Sequence, residues 1–133
     1  MFTKEQYFRD FEYTKVHSEN ADYLIKRCSL LENKLLSMGV KFPVNPKTGS
    51  HISGDTYGGF RPQECPIGAP KSAHKLGLAV DRYDPTGEID EALMSHQELL
   101  VEYGIYIEHP SKTAGWSHWA VIPPLSNKHI FYP

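Results

Sequence analysis

Two histidines and an aspartate are spaced so that they could share one metal ion. His74 and Asp81 lie seven residues apart, and the small residues between them allow a close backbone approach after a tight turn at Gly77. His118 lies in a later segment that is predicted as a strand, a rigid element from which to supply a third ligand. Two imidazoles and one carboxylate with a vacant fourth position are typical of a hydrolytic zinc site. Spacing alone leaves open that these are ordinary surface or packed histidines.

Length and composition restrict the role that a metal would have. The chain has 133 residues, 40% of them hydrophobic, which is the length of one globular domain, so we expect a single domain over 1–133. A domain of this size buries roughly two-thirds of its unfolded surface, so its core needs neither a disulfide nor a structural metal. Two cysteines beside seven histidines favour a reduced fold and imidazole ligands, with a single Cys28–Cys65 bridge left open.

Charge and hydropathy exclude several classes of partner. The formal net charge is −2, without the basic excess of a phosphate-binding surface, so no nucleic-acid partner is expected. The first residues carry charges where a secretory signal would be apolar, and no run approaches the roughly 20 apolar residues of a membrane span. We therefore expect a protein that is cytoplasmic when synthesised, has no membrane partner and is monomeric.

The first half of the chain is predicted to contain helices and then a long loop. A helix is predicted over 18–38, with Ser18 as its N-cap and Gly39 after its end, and a shorter helix over 7–16. Glycines and prolines interrupt residues 41–70, where only 51–53 and 57–61 resemble extended segments. Apolar residues at spacings of three and four mark the buried face of the first long helix: Leu24, Cys28, Leu31, Leu35 and Met38.

The second half is predicted to form a helix and a hairpin. The helix covers 88–103, with His96 at the edge of the core, and strands are expected over 105–108 and 116–122. The short connection between these strands predicts an antiparallel pair, and the tail from Pro123 is expected to be irregular. Helices before and between strands indicate an α+β fold with a small antiparallel sheet.

The motifs around the three candidate ligands resemble a known enzyme family. The pattern Ser-x-His-x-x-Gly-x-Ala-x-Asp at 72–81, with Gly-Phe-Arg at 59–61 and Trp-x-His at 116–118, resembles the zinc D-alanyl-D-alanine carboxypeptidases. That group includes D-Ala-D-Ala dipeptidases, phage L-alanyl-D-glutamate endolysins and the related fold of hedgehog domains. The resemblance covers about residues 50–122. It implies a hedgehog-like fold and a Zn²⁺ peptidase acting on the stem peptides of peptidoglycan.

The resemblance also implies roles for individual residues. His74, Asp81 and His118 match the three zinc ligands of the family. Arg61 matches an arginine that stabilises the oxyanion or holds the substrate carboxylate, although a solvated surface charge is the alternative. Two further substrate-binding candidates are Ser72, which otherwise forms a turn, and Gln63.

The sequence departs from the family at the usual position of the general base. Many relatives have a proton-transferring residue three positions before the last histidine ligand, and Gly115 stands there in this chain. Tyr106-Ile107-Glu108 resembles a pattern in which the base lies at the end of the preceding strand, and this predicts Glu108 as the base. His109 is a second candidate, as a base or an oxyanion partner.

Two readings without catalysis stay open at this point. Loss of the base would leave a non-catalytic zinc-binding module, and a phage structural protein could use the same fold for binding. If the chain is a lysin, it would reach the cell wall only after release by a phage lysis system. The sequence leaves open whether D-Ala-D-Ala or L-Ala-D-Glu is the bond cut.

Overall fold

Helices and a four-stranded sheet make up the chain, so the predicted α+β class is confirmed. A computed structural model describes residues 1–69 and 71–133, and Pro70, the last residue of the predicted loop, lies outside the described residues. The helices are α1 (Lys4–Phe8), α2 (Lys15–Ser37), α3 (Ala73–Leu76), α4 (Glu88–Ser95) and α5 (Glu98–Tyr103). The strands are β1 (Ala79–Tyr83), β2 (Tyr106–Glu108), β3 (Trp116–Ala120) and β4 (Ile130–Phe131), with a 3₁₀ turn at Pro110–Lys112.

The sheet is mixed, so the prediction of a purely antiparallel sheet is wrong for one strand pair. Its order is β1-β3-β2-β4, with β3 antiparallel to both β1 and β2. The antiparallel pair of β2 and β3 confirms the predicted hairpin. The added strand β4 runs parallel to β2 and comes from the tail that was expected to be irregular. Two residues are too few to show alternation in a sequence, and the tail is fixed by backbone bonds from Ile107 to His129 and from His109 to Phe131.

A fifth segment of backbone borders the four-stranded sheet beyond β1. Ile52 forms an antiparallel bridge with Arg82, which confirms an extended segment at 51–53. Ser53 N–H donates to the Asp81 carbonyl at 2.8 Å, and Asp81 N–H donates to the Gly58 carbonyl at 2.7 Å. Segment 57–61 is not a strand, but this bond ties it to the outer edge of β1.

Both N-terminal helices begin at threonines that the sequence analysis did not identify. α2 starts after Thr14 rather than Ser18, because Thr14 Oγ1 accepts from the His17 N–H while His17 Nδ1 accepts from the Thr14 N–H. α1 starts after Thr3 in the same way, through Gln6. Arg9, with a φ of 54°, ends α1, so a helix over 7–16 is wrong.

The helix predicted over 88–103 is two helices, because the backbone leaves the helical region at His96 (φ −135°, ψ 55°). Ile89, Leu93 and Leu100, which lie on the predicted apolar face, are nevertheless all buried. The periodicity therefore located the buried face correctly and missed the break. Among the described residues, no helix is both long and apolar enough to cross a membrane.

The core lies between α2 and the sheet. Four of the five residues predicted on the buried face of α2 are fully buried, whereas Met38 follows the helix and is partly exposed. Trp119 of β3 is fully buried with them. Cys28 and Cys65 are both free and buried, so the single bridge left open by the sequence is absent. Burial raises the pKa of the Cys28 thiol to about 12, which makes it unreactive.

Candidate metal centre

A short helix followed by a glycine turn brings His74 and Asp81 together. Ser72 caps α3, its Oγ accepting from the His74 N–H at 3.3 Å. Gly77 then adopts a φ of +80°, and a Cβ at this position would lie 3.0 Å from the His17 carbonyl oxygen. Glycine fits here because it adopts a positive φ without strain and has no Cβ to contact the His17 carbonyl. β1 begins two residues later, and Nε2 of His74 lies 3.2 Å from Oδ1 of Asp81.

The register of the sheet supplies the third candidate ligand. β1 and β3 are antiparallel with Asp81 directly opposite His118, and Nδ1 of His118 lies 3.0 Å from the same Oδ1 atom of Asp81. All three side chains are buried, and one donor atom from each lies within 4.8 Å of the other two. The group that the sequence singled out can therefore bind a metal ion.

The first histidine is oriented for ligation by its other ring nitrogen. Nδ1 of His74 lies 2.8 Å from the Gly59 carbonyl, to which it can donate, and Nε2 faces Asp81 as the ring nitrogen that a metal ion would take. This bond fixes the ring plane and, in the neutral ring, places the proton on Nδ1. Gly59 belongs to the Gly-Phe-Arg segment of the family pattern, which thus contacts the cluster through its backbone.

The charges at the cluster favour an anionic carboxylate. Burial raises the pKa of Asp81, but the charge of His74 and hydrogen bonds from His118 and His74 outweigh it and hold that pKa well below its usual range. Burial lowers the pKa of His118, and the hydrogen bond and charge of Asp81 with the charge of Glu108 outweigh it, so that pKa is raised. A proton and a metal ion therefore compete for Nδ1 of His118.

Glu108 lies beside the cluster, where the hairpin pattern predicted it. Ile107 pairs with Trp119, and the same antiparallel register places Glu108 opposite His118. Its Oε2 atom lies 3.2 Å from Nδ1 of His118, and its side chain is 19% exposed. Gly115 has a φ of +94°, a conformation that disfavours any side chain at the family's usual base position.

Arg61 contacts the cluster directly and is not a solvated surface charge. Its Nη2 group lies 3.2 Å from Oδ2 of Asp81, the oxygen that faces away from the two imidazoles, and its side chain is 12% exposed. Its Nε–H donates to the Tyr57 carbonyl at 2.8 Å, and its backbone N–H donates to the His74 carbonyl at 3.2 Å. The guanidinium is therefore held at two points and the backbone at a third, and the guanidinium fixes the orientation of Asp81.

The remaining candidates are placed differently. Ser72 lines the cavity above the cluster and also caps α3. Its position is therefore compatible with substrate binding as well as with a structural role in the turn. His109 is turned to the 3₁₀ turn, where Nδ1 accepts from the Ser111 N–H and the ring stacks on Tyr132. Neither His109 nor the exposed Gln63 is among the described residues that line the cavity.

An apolar cavity of about 780 Å³ opens above the cluster, and the sequence analysis did not identify most of its wall. Trp116 was noted only as part of the Trp-x-His motif, and Phe131 only as part of an irregular tail. Lys71 adds a positive charge at the wall. The larger apolar side chains that line it include Ile67, Leu76, Trp116, Ile122, Leu125 and Phe131.

Comparison with protein-family models, curated proteins and solved structures gave no match to this chain. The evidence for a metal site is therefore the arrangement of His74, Asp81 and His118 in this chain.

Proposed function

We propose that this chain is a zinc-dependent peptidase that hydrolyses an amide bond in the stem peptides of bacterial peptidoglycan. It would be of the D-Ala-D-Ala carboxypeptidase or L-Ala-D-Glu endopeptidase type, as in a phage lysin. The observation that carries the proposal is the position of Glu108 beside the group formed by His74, Asp81 and His118. The substrate class rests on the resemblance of the motifs at 72–81 and 116–118.

The type and number of donors support zinc as the metal, and two of the three donor separations fit a tetrahedral ion. Zinc ligands lie about 2.0–2.1 Å from the ion, so two ligands at a tetrahedral angle are about 3.3 Å apart. The separations from Asp81 Oδ1 are 3.2 Å to His74 Nε2 and 3.0 Å to His118 Nδ1. A set of two imidazoles and one carboxylate also leaves one of four positions for water or substrate, which is typical of catalytic zinc.

Glu108 fits the role of general base. When bound in this group, zinc would lower the pKa of a coordinated water and polarise a carbonyl. Glu108 has its carboxylate next to the ligand His118 and lines the same cavity, so it can accept a proton from water there. The same carboxyl group can then donate that proton to the leaving amine. With Glu108 as the base, hydrolysis needs no proton-transferring side chain at position 115.

Arg61 supports the reaction from the other side of Asp81. Its guanidinium holds Oδ2 of Asp81 and leaves Oδ1 facing the two imidazoles. Because it also lines the cavity, its positive charge is in place to stabilise negative charge on a substrate oxygen.

The test is hydrolysis of muropeptides by the zinc-loaded protein, with products identified by mass spectrometry. Glu108→Gln should lower the rate by about 100- to 10,000-fold, because it removes general acid–base catalysis. Its zinc affinity should stay within a few-fold of wild type. Glu102→Gln, an exposed glutamate on α5, is the matched control and should leave the rate unchanged. Absence of product with the wild type would overturn the proposal in favour of a non-catalytic metal-binding module.

A further inference from the structure

A buried lysine lies next to the candidate metal centre without being one of its ligands. Lys75 follows His74 in α3 and is only 5% exposed. Lysine is rarely buried unless its amino group has a partner. Here Nζ donates to the backbone carbonyl of Cys65 at 2.9 Å, and no carboxylate of the described residues is paired with it. The amino group of Lys75 therefore holds one point of the backbone.

That point lies just before one wall of the cavity above the cluster. Ile67, Gly68 and Ala69, which we call the wall segment, line the cavity of about 780 Å³ and are all exposed. Cys65, two residues earlier, is buried, and its N–H donates to the Pro62 carbonyl at 3.0 Å. The Lys75–Cys65 bond thus fixes the backbone from which the wall segment extends.

The wall segment also packs closely on residues of the candidate site. A Cβ at Gly68 would lie 3.0 Å from Nη1 of Arg61 and 3.4 Å from Oγ of Ser72. Gly68 has a φ of +84°, so glycine suits both the backbone conformation and the close approach. Ser72 N–H donates to the Ala69 carbonyl at 3.0 Å, at the other end of the wall segment. A shift at Cys65 would therefore move the backbone that covers Arg61.

Ile67 presents an apolar side chain at the junction of two cavities. It lines the 780 Å³ cavity and also an adjoining cavity of about 460 Å³, and the candidate ligand Asp81 borders both of them. Its side chain is 49% exposed, so it has apolar surface that a bound molecule could remove from water. A substrate bound at the candidate metal centre would therefore contact Ile67.

From these contacts we infer that Ile67 binds substrate at the candidate metal centre and that Lys75 is the residue that positions it, through the Cys65 carbonyl. This inference rests on the proposed peptidase function and adds two residues to its substrate site. The sequence analysis did not single out either residue, since position 75 is unspecified in the motif at 72–81 and Ile67 lies in the long loop.

Kinetics of a Lys75 variant test the positioning role. Lys75→Met removes the amino group and keeps an unbranched side chain that suits a buried site. KM for muropeptide hydrolysis should rise about tenfold, because a buried hydrogen bond is lost. The value of kcat should stay within a few-fold, because the candidate ligands and Glu108 are unchanged. Lys26→Met, exposed on α2, is the matched control and should alter neither constant. An unchanged KM in Lys75→Met would overturn the inference.

A double-mutant cycle tests whether Lys75 acts through Ile67. Ile67→Ala removes most of the side chain and should raise KM on its own. If Lys75 acts through this side chain, adding Lys75→Met to Ile67→Ala should raise KM by less than about twofold more. A further rise of about tenfold would show that Lys75 acts elsewhere and would overturn the inference. Zinc binding by each variant reports that the centre is folded.

Hydrogen exchange tests the Lys75–Cys65 bond without any hydrolysis. In Lys75→Met the Cys65 amide should exchange about tenfold faster or more, while the amides of β3, which has a strand on each side, keep their wild-type rates. Equal acceleration at both places would show a loss of overall stability and would overturn the inference. Local acceleration in a protein that cleaves no muropeptide would confirm the role of the bond and overturn the peptidase proposal, together with the substrate role of Ile67.

Discussion

The Oε2 atom of Glu108 lies 3.2 Å from Nδ1 of His118, on the neighbouring strand of a hairpin. This contact follows from the antiparallel register alone, since residues directly opposite each other in such a pair have their side chains on the same face. A carboxylate can therefore reach the metal centre from β2 although the position three residues before His118 is a glycine. The candidate base is thus placed by the pairing of β2 with β3, and not by its spacing from His118 along the sequence.

Arg61 is expected to control metal affinity through Asp81. Arg61→Gln removes the guanidinium from Oδ2 of Asp81, and loss of a group that orients a ligand typically costs 10- to 100-fold in metal affinity. Competition with a fluorescent zinc chelator measures this. Arg27→Gln, on the outer part of α2, is the matched control and should bind zinc as the wild type does. Wild-type affinity in Arg61→Gln would show that Arg61 does not position Asp81.

We expect glycine to be favoured at position 115 because of its backbone conformation, and not because a side chain would lack space. Its φ of +94° disfavours a side chain, while a Cβ there would have no neighbour within 4 Å. Gly115→Ala should therefore lower the free energy of unfolding by about 1–2 kcal/mol through backbone strain alone. Zinc affinity should not change. Urea denaturation measures the effect, and an unchanged free energy of unfolding would show that the turn relaxes without cost.

Asp90 is expected to make the protein less stable as the pH rises. Its Oδ2 accepts from Thr113 Oγ1 at 2.8 Å, while its buried Oδ1 has no hydrogen-bond partner. Burial raises the pKa of Asp90, the charge of Asp84 raises it further, and bonds from Ser117 and Thr113 only partly oppose this. The folded state thus binds the proton more tightly than the unfolded state does. The corresponding stability is present below the unfolded pKa of about 3.9 and is lost as the pH rises through the folded pKa.

Asp90→Asn removes this titration and provides the measurement. Urea denaturation of both proteins between about pH 3.5 and pH 7 gives their free energies of unfolding. We expect wild type to lose stability relative to Asp90→Asn as the pH rises from the unfolded pKa. A difference between the two proteins that is independent of pH would contradict a raised pKa for Asp90.

A buried ion pair is expected to be costly to break. Arg82 of β1 is fully buried, and its Nη2 group is paired with Glu32 of α2. Its guanidinium carbon lies 4.8–5.2 Å from the ring centres of Phe2, Phe42 and Trp119. Glu32→Gln leaves this cation without its carboxylate and should cost about 3 kcal/mol of unfolding free energy.

The control for Glu32→Gln is Glu19→Gln, on an exposed face of the same helix. Its effect should stay within about 0.5 kcal/mol, as for most surface substitutions. Urea denaturation of both variants at neutral pH gives the comparison. Equal effects of the two substitutions would show that Arg82 does not depend on Glu32.

The pairing of His74 with Asp81 could be predicted because it depends on local structure. The cap at Ser72 and the turn at Gly77 are encoded within ten residues, and they bring His74 to Asp81. His118 lies on a predicted strand, but its place opposite Asp81 depends on the pairing of β3 with β1, between residues that are 37 apart in the sequence. The complete candidate ligand group and the candidate base were predicted from the family resemblance of the motifs, and spacing alone left the group open.

The parts that could not be predicted depend on contacts between distant segments. β4 has two residues and is held by backbone bonds to β2, so it has no periodicity of its own. The contact of Arg61 with Asp81, twenty residues away, depends on how the loop lies against β1. The start of α2 was missed because His17 takes the place that Glu or Gln has in the usual capping pattern.

The central claim is that His74, Asp81 and His118 hold one zinc ion. Isothermal titration of the metal-free protein with Zn²⁺ tests it most directly. We expect one ion per chain in the wild type and in His129→Ala, whose ring stacks on Tyr106 away from the cluster. Affinity should fall by more than about 100-fold in Asp81→Asn and in His118→Ala, since loss of a ligand exceeds the effect of losing a group that orients one. Wild-type zinc affinity in either of these two variants, or no binding by the wild type, would contradict the account.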